Sequence, residues 1–114
     1  MAKYETNLKG DFYEFLEIIE NGVMSGSISA SFEDGSDMLA GDIKCAVRVY
    51  ERYSVIGKNR VSLNITLVGN GSDLYLSAIT SGGSQAIFFE FNTFGEESFL
   101  DSLVRIVERY NKTQ

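Results

Sequence analysis

The chain has 114 residues, a net charge of −6 and no histidine, and 44% of its residues are hydrophobic against 23% charged. That composition is typical of a globular domain rather than a disordered chain, and the length suits one domain with a core of its own. An acidic chain lacks the basic surface of a general nucleic-acid binder, so nucleic acid is not an expected partner. We interpret residues 1–114 as a single domain.

Neither a membrane-spanning nor a secreted segment is expected. The apolar runs all fall short of the roughly 20 residues that a transmembrane helix needs, and the opening MAKYETNLKGD lacks the apolar centre of a signal peptide. The single cysteine fits a reducing compartment. These observations favour a cytoplasmic protein with no membrane partner.

The first part of the chain predicts a strand and then a helix. Residues 3–8 alternate apolar with polar side chains, as an edge strand does. Residues 10–21 predict a helix in which Asp11 is the capping residue and Gly22 is the glycine that ends it. Four apolar side chains share one face of this helix, namely Phe12, Phe15, Leu16 and Ile19.

Two strands joined by a turn are predicted next. Residues 23–32 alternate serines with other small and apolar residues, Asp34-Gly35 is the expected turn, and residues 41–54 form the longest strand. One face of that strand is mainly apolar and is assigned to the core, with Ile43, Cys45, Val47, Val49, Glu51 and Tyr53. The other face is basic and aromatic and is assigned to the outer surface, with Lys44, Arg48, Tyr50 and Arg52.

Three further strands are predicted at residues 60–68, 73–80 and 85–93, and the chain closes with its strongest helix pattern at residues 95–112. Short turns make consecutive strands antiparallel neighbours. We therefore predict an α+β fold with a single antiparallel sheet in the order β-α-β5-α. The N-terminal helix and the long C-terminal helix would both pack on one face of that sheet.

This order of elements resembles the helix-grip arrangement of START and Bet v 1-like proteins. It is also similar to the TATA-binding-protein-like (TBP-like) fold, which has four strands in the meander. The overall pattern, closing with GEESFLDSLVRIVERY, resembles a family of small bacterial proteins of unknown function. The helix-grip resemblance implies an apolar ligand beneath the last helix, but a resemblance in element order implies no site residue.

Little in the sequence points to catalysis. Without histidine, Ser-His-Asp and Cys-His centres and most zinc sites are excluded. Cys45 is interpreted as a buried structural thiol. Glu51 and Glu90 can be read as an inward pair of carboxylates, but exposure to solvent or pairing with Arg48 or Arg52 is the better interpretation. We predict no enzyme, no cofactor and no metal site.

Two hypotheses about function follow. The first is a small non-enzymatic module that binds an apolar ligand in a pocket between the sheet and the C-terminal helix. Its candidate lining residues are Leu63, Ile65, Phe88, Phe99, Leu103 and Tyr110. The alternative is a protein-interaction or homo-oligomerising module that uses the basic and aromatic outer face of the sheet. Its candidate residues are Lys44, Arg48, Tyr50 and Arg52.

Overall fold

The fold is an antiparallel sheet with two helices. The computed structural model describes residues 2–26, 29–54, 59–82 and 89–113. The elements are β1 (Ala2–Lys9), α1 (Phe12–Ser25), β2 (Ser31–Ala40), β3 (Ile43–Ser54), β4 (Asn59–Asn70), β5 (Asp73–Gly82) and α2 (Phe89–Lys112). The predicted class is confirmed, because one five-stranded antiparallel sheet combines with an N-terminal helix and a long C-terminal helix.

The strands lie in the order β1-β5-β4-β3-β2, and each pairs antiparallel with its neighbours. Strands β2 to β5 form a meander, whereas β1 comes from the start of the chain and pairs with β5. Both helices lie on the same face of the sheet, since Lys44 contacts the ring of Tyr13 on α1 and Arg52, on the same side of β3, contacts Phe99 on α2. No described element lies on the opposite face.

The predicted start of α1 is confirmed, and its predicted end is wrong. The carboxylate of Asp11 accepts a hydrogen bond from the backbone N–H of Glu14 at 2.9 Å, which is the geometry of a helix cap. Gly22 lies inside the helix, which is closed instead by Gly26. A Cβ at Gly22 would lie 2.6 Å from Cδ1 of Ile106, so this glycine lets α1 approach α2 closely.

The predicted turn at Asp34-Gly35 is also wrong, because both residues lie inside β2. The chain reverses at residues 41–42, where Gly41 has a φ of 61° that glycine adopts without strain. A Cβ at Gly35 would lie 3.1 Å from Cδ of Arg48. The glycine within β2 therefore leaves room for the arginine side chain of the neighbouring strand.

Two predicted strands are wrong in part. Residues 23–25 of the strand predicted at 23–32 form the end of α1, and residues 89–93 of the strand predicted at 85–93 form the start of α2. The rest of the second segment, residues 85–88, lies outside the described residues. A short apolar run does not by itself distinguish a strand from a helix. The meander has four strands rather than the predicted five. Four is the number given above for the TBP-like fold.

The core lies between the helices and the face of the sheet that they cover. The side chains that are fully buried there come from β3, β4, β5 and both helices, and they include Phe15, Ile19, Leu63, Leu67, Leu76 and Leu103. Burying a side chain of this size contributes about 2 kcal/mol. Among the described helices, none is both long and apolar enough to cross a membrane.

Candidate functional site

The two sides of β3 are the reverse of the prediction. Arg48 and Tyr50 are 9% and 1% exposed and lie against the helices. The register explains why: Tyr50 pairs with Leu63 of β4 and Arg48 pairs with Ile65, and both partners are buried. The predicted outer surface is therefore wrong for all four of its residues, which point to the covered face: Lys44, Arg48, Tyr50 and Arg52.

Arg48 is held by groups of the protein itself. Its Nε donates to Glu20 of α1 at 2.8 Å and its Nη2 donates to Asp37 of β2 at 2.9 Å. Its Nη1 donates to the carbonyl oxygens of Val47 and Ser36. Burial opposes the charge, but the hydrogen bonds to the two carboxylates outweigh it and raise the pKa of Arg48. This side chain ties α1 to β2, which is a structural role.

The other three side chains of this group also make contacts within the covered side. Lys44 Nζ lies 5.8 Å from the ring centre of Tyr13, and the guanidinium of Arg52 lies 4.5 Å from the ring centre of Phe99. These are cation–π geometries. Burial lowers the pKa of Arg52 and raises the pKa of the Tyr50 hydroxyl to about 12.

The residues predicted to line an apolar pocket are largely core residues. Four of the six are at most 1% exposed and lie between the sheet and α2, namely Leu63, Ile65, Phe99 and Leu103. Phe88 lies outside the described residues. Tyr110 packs on Phe15 with ring centres 4.7 Å apart and borders a groove between the helices. The structure brings the four together without testing whether a ligand enters, so the pocket beneath α2 stays a prediction.

An open groove with a volume of about 670 Å³ lies between α1 and α2. Arg105 and Arg109, one turn apart on α2, both line it. Within the described part of the chain, neither guanidinium makes an ion pair. Polar side chains also border the groove, from Asn21, Ser25, Ser102 and Thr113. This groove is not among the sites predicted from the sequence, although the spacing of the two arginines on a helix is visible there.

The face of the sheet opposite the helices, here called the uncovered face, is built from rows of side chains that cross all five strands. We name each row by its β4 residue and give it from β1 to β2. The Val68 row comprises Asn7, Tyr75, Val68, Cys45 and Met38. The Thr66 row comprises Glu5, Ser77, Thr66, Val47 and Ser36. The Asn64 row comprises Lys3, Ile79, Asn64, Val49 and Asp34.

Two outer rows and one pair, Arg60 with Tyr53 beyond the Ser62 row, complete this face. The Asn70 row comprises Lys9, Asp73, Asn70, Ile43 and Ala40. The Ser62 row begins at β5 and comprises Ser81, Ser62, Glu51 and Ser31. Four consecutive outward side chains of β3 are apolar, namely Ile43, Cys45, Val47 and Val49. They are only half-buried, and Met38 beside them is 59% exposed.

The charged side chains of the uncovered face lie at its margins and contact one another or their neighbours. Lys9 pairs with Asp73 at the β1 margin, and Arg60 donates to Glu51 at 2.7 Å at one end of the face. Glu5 accepts a hydrogen bond from Ser77, and the hydrogen bonds from Ser77 and Tyr75 lower the pKa of Glu5. An apolar centre with a polar rim is the usual layout of a protein–protein interface.

Three further residues were candidates for chemistry in the sequence, namely Cys45, Glu51 and Glu90. Cys45 is half-buried on the uncovered face, so its predicted burial in the core is wrong. Glu51 lies on the same face, paired with Arg60, and the side chain of Glu90 lies outside the described part. Among the described residues, no three His, Cys, Asp or Glu side chains are grouped as metal ligands would be.

Comparison with known proteins gives one result. No curated protein matches the chain. The sequence profile described as "Family of unknown function (DUF6054)" matches residues 1–111, which is nearly the whole chain. The resemblance to a family of unknown function is thereby confirmed, whereas the bacterial origin and the cytoplasmic location stay predictions. The chain belongs to the Family of unknown function (DUF6054).

Proposed function

We propose that this protein is a non-enzymatic interaction module that binds a protein partner through the uncovered face of its sheet. The observation that carries the proposal is the run of outward aliphatic side chains on β3, which includes Val47 and Val49 and which no described element covers. A continuous apolar patch of this kind on a folded protein is typical of an interaction site. The setting we propose is the cytoplasm, which keeps Cys45 on this face reduced.

The dimensions of the uncovered face support this proposal. With strands about 4.8 Å apart and rows about 6.8 Å apart, the face measures about 19 Å by 27 Å between its outermost strands and rows, and the side chains at its margin bring the area to roughly 600 Å². Burying that area on both partners removes roughly 1,200 Å² from water, which is the lower end of the range for specific interfaces. The face is therefore large enough for a reversible complex.

The charges at the margins favour a protein over a nucleic acid. Lys3 and Lys9 lie on the same face as Glu5, Asp34 and Asp73, so both signs are present. A surface for nucleic acid would be predominantly basic, because most of the affinity comes from phosphate contacts. A surface of mixed sign around an apolar centre instead selects a partner with a complementary pattern.

Site-specific photo-crosslinking in cells tests the proposal. A photoreactive phenylalanine derivative replaces Asn64, at the centre of the uncovered face, and in a second strain it replaces Leu39, which is 70% exposed on the opposite side of β2. We expect an adduct from position 64 and none from position 39, with the product identified by mass spectrometry. An absence of adducts at position 64, with the protein folded and abundant, overturns the proposal.

A second candidate function is binding of a small anion in the groove between α1 and α2. Arg105 and Arg109 both border this groove, and a pair of guanidinium groups suits a carboxylate or phosphate ligand. Ligand binding between helices also keeps the class of function predicted from the sequence, with a polar ligand in place of an apolar one.

Titration calorimetry with inorganic pyrophosphate as the probe tests the anion site. The variant Arg105→Gln/Arg109→Gln should lose at least tenfold in affinity, because two charge-assisted hydrogen bonds are removed. Lys112→Gln removes an exposed basic residue outside the residues lining the groove and is the matched control. Equal affinities for the two variants, or no heat of binding to the unchanged protein, would eliminate this candidate.

A further inference from the structure

We infer that the partner of the uncovered face is a second copy of this chain, stacked face to face about a two-fold axis that runs parallel to the strands along β4. The inference rests on the proposed function and names its partner. Two features carry it: the margins of the face hold opposite charges in one row, and the middle of the central strand, from Asn64 to Val68, can lie on itself without bringing charges together.

Rotation about the two-fold axis parallel to the strands stacks each row on the same row of the second copy. Rotation about it places β1 of one copy over β2 of the other and β4 over β4. In the Asn64 row, Lys3 is at the β1 end and Asp34 is at the β2 end. Each copy therefore sets Lys3 opposite Asp34 of the second copy, and symmetry produces this contact twice. The strands of two packed sheets typically cross at about 30°, which displaces residues at the margin relative to those of the second copy. The lysine side chain is long enough to span that displacement.

The contacts at the centre of this arrangement carry no charge. Val68, Thr66 and Asn64 lie on β4 and each meets its own symmetry mate. Arg60 lies on the same face towards the end of β4 and also meets its mate, with its charge paired to Glu51 within each copy. Tyr75 of β5 faces Cys45 of the second copy, because β5 and β3 flank β4 on its two sides. Apolar side chains that are half-buried in one copy become covered by those of the other, which supplies the main driving force.

The other two-fold axis that stacks the faces runs across the strands and is centred on the Thr66 row. It places β1 over β1 and sets Glu5 against Glu5 of the second copy. Like charges opposed across an interface weaken it. That axis also leaves Lys3 and Asp34 at opposite margins, so neither gains a partner of opposite charge. Within the described residues Glu5 has no ion-pair partner of its own, whereas the charge of Arg60 is paired with Glu51, so the charges of the face favour the axis parallel to the strands.

Self-association measured by sedimentation equilibrium tests the inference. With about 1,200 Å² buried, we expect a dimer with a dissociation constant of about 10 µM. Asn64→Lys places two positive charges on the axis and should weaken the dimer at least tenfold. Leu39→Lys introduces the same charge at an exposed position on the opposite side of the sheet and should leave the dimer unchanged. Circular dichroism verifies that both variants fold.

An exchange of charges tests the axis itself. Lys3→Asp and Asp34→Lys should each weaken the dimer about tenfold, since each creates two repulsive contacts. The double variant restores opposite charges and should return to within about threefold of the unchanged protein. Because both side chains are exposed at the margin, neither substitution disturbs the core.

The outcomes separate this inference from the proposed function. A protein that stays monomeric at about 1 mM, or a double variant no tighter than the single ones, overturns the symmetric dimer. If such a monomer still gives an adduct with another protein from position 64 in cells, the proposed function stands and only the second copy is overturned. If the adduct has twice the mass of the chain and the charge exchange restores association, both are supported.

Discussion

The covered and uncovered faces of the sheet come from the same strands but place charge differently. The covered face buries Arg48, and it holds the charge with Glu20 and Asp37. The uncovered face keeps its charges at the margins, where Arg60 pairs with Glu51, and leaves aliphatic groups at its centre. The comparison teaches that the more polar side of a strand can face the core when neighbouring elements supply partners, while the more apolar side remains available for association.

The largest expected effect contrasts two residues of β5 that point to opposite faces. Leu76 is fully buried, and Leu76→Ala should lower the free energy of unfolding by about 2–5 kcal/mol. Ile79 is 38% exposed on the uncovered face, and Ile79→Ala should cost about 1 kcal/mol or less. Urea unfolding at about 1 µM protein, where association does not contribute, measures both. Equal losses would contradict the assignment of the faces.

The next effect contrasts Arg48 of the covered face with Arg60 of the uncovered face. Arg48→Met removes hydrogen bonds to two carboxylates and should cost about 1–3 kcal/mol, because Glu20 and Asp37 regain water only in part. Arg60→Met removes ion pairs of a side chain that is 53% exposed and should cost about 0–1 kcal/mol. Chemical denaturation compares the variants, and a double-mutant cycle with Glu20→Gln isolates the Arg48 contact. A larger loss for Arg60→Met would reverse the comparison.

The smallest effect is a pH dependence that belongs to the covered face. The pKa of Tyr50 is raised to about 12, chiefly by burial, from an ordinary value near 10. The unfolded chain therefore releases this proton first, so the stabilisation is complete below pH 10 and is lost as the pH rises through 12. The loss at pH 11 should be about 1 kcal/mol.

Tyr50→Phe should remove this part of the alkaline destabilisation, as measured by urea unfolding between pH 9 and 11. Tyr13→Phe, which alters a tyrosine that is 56% exposed on α1, is the matched control and should keep the slope of the unchanged protein. An unaltered slope in Tyr50→Phe would show that the hydroxyl titrates alike in the folded and unfolded chains.

Much of the fold could be predicted because local patterns agreed with the tertiary structure. The cap at Asp11 is a local signal, and the alternation of β4 from Val61 to Leu67 assigns its two sides without ambiguity. The end of α1 was misjudged because a glycine that stops a helix and a glycine that lets two helices touch look alike in one sequence. Only the position of Ile106 distinguishes them.

The candidate surface could not be predicted from β3 alone. Both sides of that strand contain apolar groups, and the side that carries Arg48 has the composition of a solvent side until its carboxylate partners are known. Those partners are 28 and 11 residues away in sequence, on two other elements. The pairing of Tyr50 with Leu63 settles the orientation, and that register is a long-range property of the sheet.

The pairing of β1 with β5 has a consequence for the order of folding. Their hydrogen-bonded and ion-paired residues lie 64 to 78 positions apart, as in Lys9 with Asp73 and Thr80 with Ala2. The first strand to leave the ribosome therefore waits for the last strand before it can pair, whereas β2 to β5 close hairpin by hairpin. Loop closure over such a span is slow compared with hairpin formation. A chain that lacks β1 would expose the edge of β5, and a peptide with the sequence AKYETNLK, supplied separately, has the complementary strand to fill it.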